Sequence, residues 1–395
     1  MTNNNLADVA IIGGGIVGSA VAYALTHAPN PPHRVVIVER DTAYREASTP
    51  RSAGGIRQQF STPENIALSR ATLSLIAEMK SRFGADADVS FREQGYLLLA
   101  TKDGRDILSA NASLQNAHGA DTRLLDEAAL STRFPWLSTD GIALGSFGAS
   151  GEGWIDPVAL MTLLRKAAIA RGAEVIHQPV SGLKAAGNLM TSVELANGQS
   201  LSAGAVIIAA GPWSGAIAGL AGVKLPVEPR KRYVYVVDCR EAGEALHKAP
   251  LTVDPSGVWF RPEGRMFICG VSPSEADEPP ATDLDLIDYA PYDDIVWPTL
   301  AARVPAFEAL KLTNAWAGYY DYNTLDQNAI IGRHPHIANL YVATGFSGHG
   351  LQQAYAAGRA ISELILRGRF TTIDLSRFGW ERIAANRPLF ELNVI

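Results

Sequence analysis

Ala7-Asp8-Val9-Ala10-Ile11-Ile12-Gly13-Gly14-Gly15-Ile16-Val17-Gly18 decides how this chain begins to fold. Its first six residues are a short, apolar, β-branched run, the pattern of a strand buried on both faces. Gly13, Gly15 and Gly18 follow at GxGxxG spacing, and Ser19 to Thr26 then sets Ala20, Val21, Ala24 and Leu25 at helical spacing. Beyond a loop with Pro29, Pro31 and Pro32, Arg34-Val35-Val36-Ile37-Val38-Glu39 predicts a second strand. In such a βαβ unit the first glycine permits the tight turn. The second lets backbone approach a pyrophosphate, and the third lets helix pack on strand. The helix start adds free N–H groups and roughly half a positive charge. Glu39, 21 residues past Gly18 at the strand end, is placed to accept hydrogen bonds from a ribose diol, with Arg40 beside it as a second contact. A 2′-phosphate would be repelled there, which argues against NADP. Strand, turn, helix and acid together predict a dinucleotide, without separating FAD from NAD.

Outward from this unit, the chain alternates between two textures. Ser48-Thr49-Pro50-Arg51-Ser52-Ala53-Gly54-Gly55-Ile56-Arg57-Gln58-Gln59-Phe60 has neither periodicity and reads as a Gly/Ser/Arg loop beside the nucleotide unit. Residues 63 to 83 read as helix, Gly95 to Ala100 as strand, and 103 to 134 as helix and loop. Asp156-Pro157 opens a helix running to about Ala170, with proline at its favoured first position. Strands are expected around Glu174–Gln178 and Met190–Glu194, and Asn197-Gly198 signals a hairpin into the next strand. Ala205 to Gly211 is a buried strand ending in glycine, and Asn339 to Gly345 is another, followed by Phe346-Ser347-Gly348-His349-Gly350 and a helix to Arg367. Short β runs in 225–275 predict a mostly antiparallel sheet. The expected architecture is α/β: a discontinuous Rossmann-like nucleotide domain (1–85, 145–224, 316–395) and an inserted substrate domain of antiparallel sheet plus helix (86–144, 225–315). Glycine-ended strands dispersed over the whole chain suit a large cofactor contacted along its length, which favours FAD.

Composition sets outer limits. Hydrophobic residues make up 47% and charged residues 19%, a globular balance. Lys+Arg 34 against Asp+Glu 40 gives −6, with no basic surplus for nucleic acid. Cys239 and Cys269, thirty apart, fit neither a disulfide framework nor a zinc ligand set, so no metal is expected and a reducing compartment is the default. The N-terminal residues lack the basic start of a secretory signal. No stretch reaches the ~20 apolar residues of a transmembrane span. A soluble, cytoplasmic protein is expected.

ADVAIIGGGIVGSAVAYAL, AVIIAAGPWSGAIAGLAGV and NLYVATGFSGHGLQQAYAAGRAISELI together resemble the FAD-dependent amine and D-amino-acid oxidoreductase family, which includes sarcosine oxidase, glycine oxidase, dimethylglycine dehydrogenase and D-amino-acid dehydrogenases. NTLDQNAIIGRHP with GFSGHG is similar to the sarcosine oxidase type, and STPRSAGGIRQQFSTPENIALS resembles the FAD-dependent oxidoreductase-domain proteins linked to respiratory complex assembly. The resemblance implies FAD with its isoalloxazine ring between two domains, and dehydrogenation of a C–N bond in an amino acid. It implies ADP contacts at Gly13, Gly15, Gly18 and Glu39. Arg51, Ser52 and Ala53 would lie along the flavin, and Gly345, Gly348, His349, Gly350 and Leu351 would face the ring. Gly211 and Trp213, after the central strand, are further candidate cofactor contacts. Arg57 matches the arginine that holds the substrate carboxylate, with Tyr319, Arg261 and Gln352 as other pocket candidates and Tyr320 and Tyr322 in segments that wall it.

Departures from the family pattern refine this. The cysteine that bonds flavin covalently in monomeric sarcosine oxidases is replaced by Tyr319, and the loop histidine of dimethylglycine-type enzymes by Pro50 and Arg51, so noncovalent FAD is expected. Gln352 stands where sarcosine oxidases carry a carboxylate-binding lysine, and the stretch Phe267 to Gly270 holds no oxygen-activating lysine. The expected activity is therefore hydride removal from a secondary amine or D-amino acid to flavin N5, by a dehydrogenase with an unidentified electron acceptor. Arg57 and His349 are the candidate catalytic residues, His349 as a near-ring group or proton relay. Trp154, Trp259 and Trp316 read as core, as does Trp213 in its alternative reading. Two other readings stay open: a flavin-bearing assembly or electron-transfer accessory protein with little turnover, and an NAD-dependent dehydrogenase.

Overall fold

The computed structural model describes residues 5–279 and 281–392. Residues 1–4 and 393–395, the outermost ends of the expected nucleotide domain, lie outside them. The opening unit forms as read: β1 (Leu6–Ile12), α1 (Ile16–Thr26) and β2 (Val35–Glu39). Around β1 lies a sheet in the order Ile330–Arg333, Leu340–Thr344, Ser200–Ile208, β1, β2, Glu174–His177. Every neighbouring pair is parallel except the first. From Val9 onward β1 is buried on both faces, which is why it is apolar there: Val9 and Ile11 enter the core shared with α1 and the helix Gly350–Arg367, while Ala10 and Ile12 enter a separate core on the opposite face.

The hairpin at Asn197-Gly198 joins Leu189–Leu195 to Ser200–Ile208, and a further strand, Val180–Ala186, extends that flap. The helix at Asp156-Pro157 is capped as its sequence predicts, Asp156 accepting from the N–H groups of Val158 and Ala159. Helix packing rests on small residues. A Cβ on Gly358 would lie 2.5 Å from the backbone of Ala20, so only glycine lets the helix Gly350–Arg367 press this closely on α1.

The second sheet runs Lys311–Asn323, Val227–Asp238, Met266–Gly270, Trp259–Glu263, Leu251–Val253, Tyr96–Ala100, Leu144–Ser150, Asp121–Leu125. It is antiparallel throughout except between Leu251–Val253 and Tyr96–Ala100. Its membership differs from the expected boundaries at 145 and 316. Leu144–Ser150 and the whole of Lys311–Asn323 belong to this sheet and not to the nucleotide sheet. The 103–134 stretch also holds a strand, Asp121–Leu125. Its period-2 signal is masked because the charged Arg123 and the apolar Leu124 are both exposed. A two-stranded ribbon, Gly55–Ile56 with Gly153–Trp154, stitches the Arg-rich loop to the chain entering the Asp156 helix.

Candidate active site at the seam of the two sheets

One cavity of about 440 Å³ runs along the seam. Gly13, Gly15, Ile16 and Glu39 line one part of it, and Gly348, His349, Gly350 and Leu351 another. The first turn of the sequence and a loop more than three hundred residues later therefore wall the same space.

The fingerprint end is built by glycine. Gly13 has φ +102°, and a Cβ there would meet Ala209 O at 2.4 Å. At Gly18 a Cβ would sit 1.9 Å from Gly13 O, so this residue packs helix on strand and does not line the cavity. Beside Gly15, by contrast, the nearest atom to an added Cβ is Thr49 Oγ1 at 3.6 Å, leaving a cradle open to an entering group. Gly14 N–H donates to Glu39 Oε2 at 2.7 Å and Asp41 N–H to Oε1 at 2.8 Å, which fixes the acid beside the turn with lone pairs to spare. Thr49 Oγ1 accepts from Ile16 N–H at 3.1 Å and orients the start of α1. Arg40 lies over the Trp213 ring at 3.7 Å, so Trp213 is cavity wall rather than core, and Trp259 lines the cavity as well. Gly211, with φ +54°, turns the chain into that wall.

Arg51, Ser52 and Ala53 border the middle of the cavity. Arg51 donates to Arg45 O and Ala317 O at 2.7 and 2.8 Å, and Trp316 Nε1 donates back to Arg51 O at 2.9 Å. Arg261 departs from expectation. It is absent from the cavity wall and donates to Ala53 O at 3.0 and 2.8 Å and to Glu263, with Trp154 under its guanidinium. It braces the loop from behind, because a buried guanidinium takes the nearest carbonyl and acid. Gly345 also stands outside the wall. With φ +73° it turns the strand Leu340–Thr344 into the loop.

At the far end, Arg57 lines the cavity although nearly all of it is buried. Its Nη2 lies 2.9 Å from His349 Nε2, its N–H donates to Gln352 Oε1 at 2.7 Å, and its guanidinium sits 4.7 Å over the Phe60 ring. Among the described residues it makes no salt bridge. Burial lowers its pKa, opposed by Tyr96 and the carboxylates of Glu391 and Glu152. Burial and the Arg57 charge hold His349 well below the usual histidine range. A neutral His349 accepts from Arg57 at Nε2, which puts its own proton on Nδ1. Tyr319 lines the cavity, its ring edge-on to Trp213 and its hydroxyl donating to Thr282 O at 2.8 Å.

Tyr320 lines the cavity, and so do Tyr96 and Asp321, which no motif marked; burial raises the pKa of all three, Asp321 to about 6. Asp321 accepts from Phe346 N–H at 3.1 Å, tying the second sheet to the loop before His349. Tyr320 lies against Gly348, where a Cβ would come within 2.6 Å of its ring.

A dinucleotide turn and a glycine-rich loop walling one cavity at the border of a parallel and an antiparallel sheet define a two-domain, dinucleotide-dependent oxidoreductase. Residues 8–364 match the family description "FAD dependent oxidoreductase", and the chain belongs to that family, whose cofactor is FAD. It is 42% identical to FAD-dependent oxidoreductase domain-containing protein 1 of Xenopus laevis, over 98% of this chain and 85% of that one. Human mitochondrial dimethylglycine dehydrogenase is 27% identical, over 94% of this chain and 44% of that longer protein. Among solved structures, L-proline dehydrogenase from P. horikoshii superposes with a TM-score of 0.85 and 26% identity, covering 98% of this chain and all of that one. The cradle at Gly15, the anchored Glu39 and the continuous cavity fit FAD. No helix among the described residues is long and apolar enough to cross a membrane.

Proposed function

We propose that this protein oxidises the C–N bond of a small amino acid bearing a secondary amine or of D configuration, delivering the electrons to an acceptor other than oxygen. One observation carries the reading: Arg57 presents a buried guanidinium to the cofactor cavity with no acid among the described residues paired to it. A guanidinium in that state is a receptor for an external carboxylate, gripped by two parallel hydrogen bonds. Sarcosine dehydrogenase and L-proline dehydrogenase, proteins similar to this chain, are named for amino acids with a secondary amine, which supports the secondary-amine form.

FAD, when bound, supplies the acceptor for the hydride leaving the carbon next to nitrogen. The chain's own part is binding and exclusion. Arg57 fixes the carboxylate end, and Gln352 and Phe60 fix Arg57. His349 stays neutral and orients the guanidinium through Nε2. Tyr96, Tyr320 and the Gly348 backbone close the wall. Asp321, the buried carboxylate of the wall, is engaged by the Phe346 N–H and holds the loop, and no lysine is among the described cavity residues. No general base is required where the amine arrives unprotonated. The dehydrogenase form rests on the stretch Phe267 to Gly270 lacking lysine.

The accessory-protein reading has one observation in its favour: Leu286, Tyr289, Ile295 and Trp297 are exposed along a single segment. Arg57 reaching the wall of the cofactor cavity favours turnover. Anaerobic mixing of the holoprotein with sarcosine, L-proline and a panel of D-amino acids is the test. Bleaching of the flavin absorption by at least one is expected. Bleaching by none sinks the enzymatic reading.

A further inference from the structure

Glu152 is fully buried, and nothing in the proposed reaction uses it. It directly precedes Gly153–Trp154, and the ribbon pairing with Gly55–Ile56 brings its carboxylate against the segment Arg57-Gln58-Gln59. Gln58 N–H donates to Oε1 at 2.5 Å and Gln59 Nε2 to Oε2 at 2.8 Å. Gln59 is held at both ends of its amide: Nε2 also donates to Tyr96 O at 3.1 Å, and Ser146 Oγ donates to its Oε1 at 2.6 Å. Gln58 in turn donates to Ser150 O at 3.0 Å and accepts from Arg70 at 2.7 Å. The fold makes room for this acid. Gly148, on the adjoining strand, would place a Cβ 1.7 Å from Glu152 Oε2.

Holding a carboxylate here is costly, because an acid removed from water needs strong compensation. Burial pushes it up to about 7 despite its donors and the Arg57 charge. An apolar side chain of similar size would fill the space at lower cost, so a role beyond packing is indicated. Glu152 also stops short of pairing with Arg57. A direct ion pair would occupy the guanidinium edge that an external carboxylate needs.

We propose that Glu152 is a positioning residue: through Gln58 and Gln59 it fixes Arg57 on the cavity wall and supplies countercharge from one residue away, leaving the guanidinium open. This inference rests on Arg57 being the carboxylate contact. The probe is acetate, titrated into the holoprotein and followed by the change in flavin absorption. In the wild type acetate perturbs the spectrum and R57M abolishes the effect; failure of either result removes the Arg57 reading and this proposal with it. With those in hand, E152Q retains flavin and binds acetate about tenfold more weakly. E152D, which keeps the negative charge, binds acetate within about threefold of the wild type. For any substrate found, E152Q raises KM more than it lowers kcat. Unchanged acetate affinity in E152Q, or a flavin-loaded E152D no better than E152Q, overturns the proposal. If E152Q loses flavin, S146A, which removes only the donor to Gln59 Oε1, weakens acetate binding about twofold or more; no change there overturns it equally.

Discussion

In the proposed reading Arg57 takes its role from what it lacks. Its backbone and ring-facing side are engaged, yet among the described residues its charge meets no acid directly. Arg57→Met is expected to lower kcat/KM for a carboxylate-bearing amine by roughly ten- to a hundredfold, since a charge-assisted hydrogen bond contributes about 1.5–3 kcal/mol. An equal loss on an amine without a carboxylate would contradict the assignment. Two buried acids give the stability a pH dependence of definite sign. Glu152 and Asp321 have folded pKa values of about 7 and about 6, raised by burial from ordinary carboxylate values. Their protonated forms favour the folded state. That contribution is present below the unfolded pKa values and is lost as pH rises through about 6 to 7. Melting temperature is therefore expected to fall between about pH 5 and pH 8, and less steeply in E152Q. Parallel pH profiles for the two proteins would show that Glu152 does not titrate there.

Elements bring their own constraints, and here glycines set them. At Gly18 the helix α1 meets the turn of its own fingerprint, and Gly18→Ala forces a Cβ to 1.9 Å from Gly13 O. The variant is expected to purify with much less than one flavin per chain; full flavin content would show that the turn can shift without loss. Gly358 does the same work between α1 and the helix Gly350–Arg367, where backbone alone fits against Ala20. Gly358→Ala should destabilise the protein by roughly 1–3 kcal/mol, the range for overpacking. A melting temperature equal to wild type would mean that the helices separate freely.

Across the whole molecule, the cavity exists only because two sheets meet. The parallel sheet offers the turn at Gly13 and the anchored Glu39. The antiparallel sheet offers Tyr96, Tyr320 and Asp321. Neither sheet by itself encloses the space. The family resemblance implies that Tyr319 stands where monomeric sarcosine oxidases carry a flavin-linking cysteine, and Pro50 and Arg51 where dimethylglycine-type enzymes carry a linking histidine. FAD should therefore be held without a covalent bond. Acid precipitation is expected to leave a colourless pellet and a yellow supernatant; colour retained in the pellet would reveal a link.

Local chemistry determined much of this protein by itself. The β-branched run, the three glycines and Glu39 specify a βαβ unit with a dinucleotide site because each requirement, tight turn, close approach, helix packing and ribose acceptor, falls on consecutive or fixed-interval residues. Asp156-Pro157 and Asn197-Gly198 are legible for the same reason. Other features were decided only in three dimensions. Strand Leu144–Ser150 joins the second sheet through pairing with residues far away in sequence, which no local pattern records. Arg261 reads as a pocket residue and becomes a brace, because its fate depends on which carbonyl lies nearest after folding. Glu152 carries no motif at all. Its position against Gln58 and Gln59 is set by a ribbon that joins segments about a hundred residues apart, and burial alone turns an ordinary glutamate into a costly buried acid.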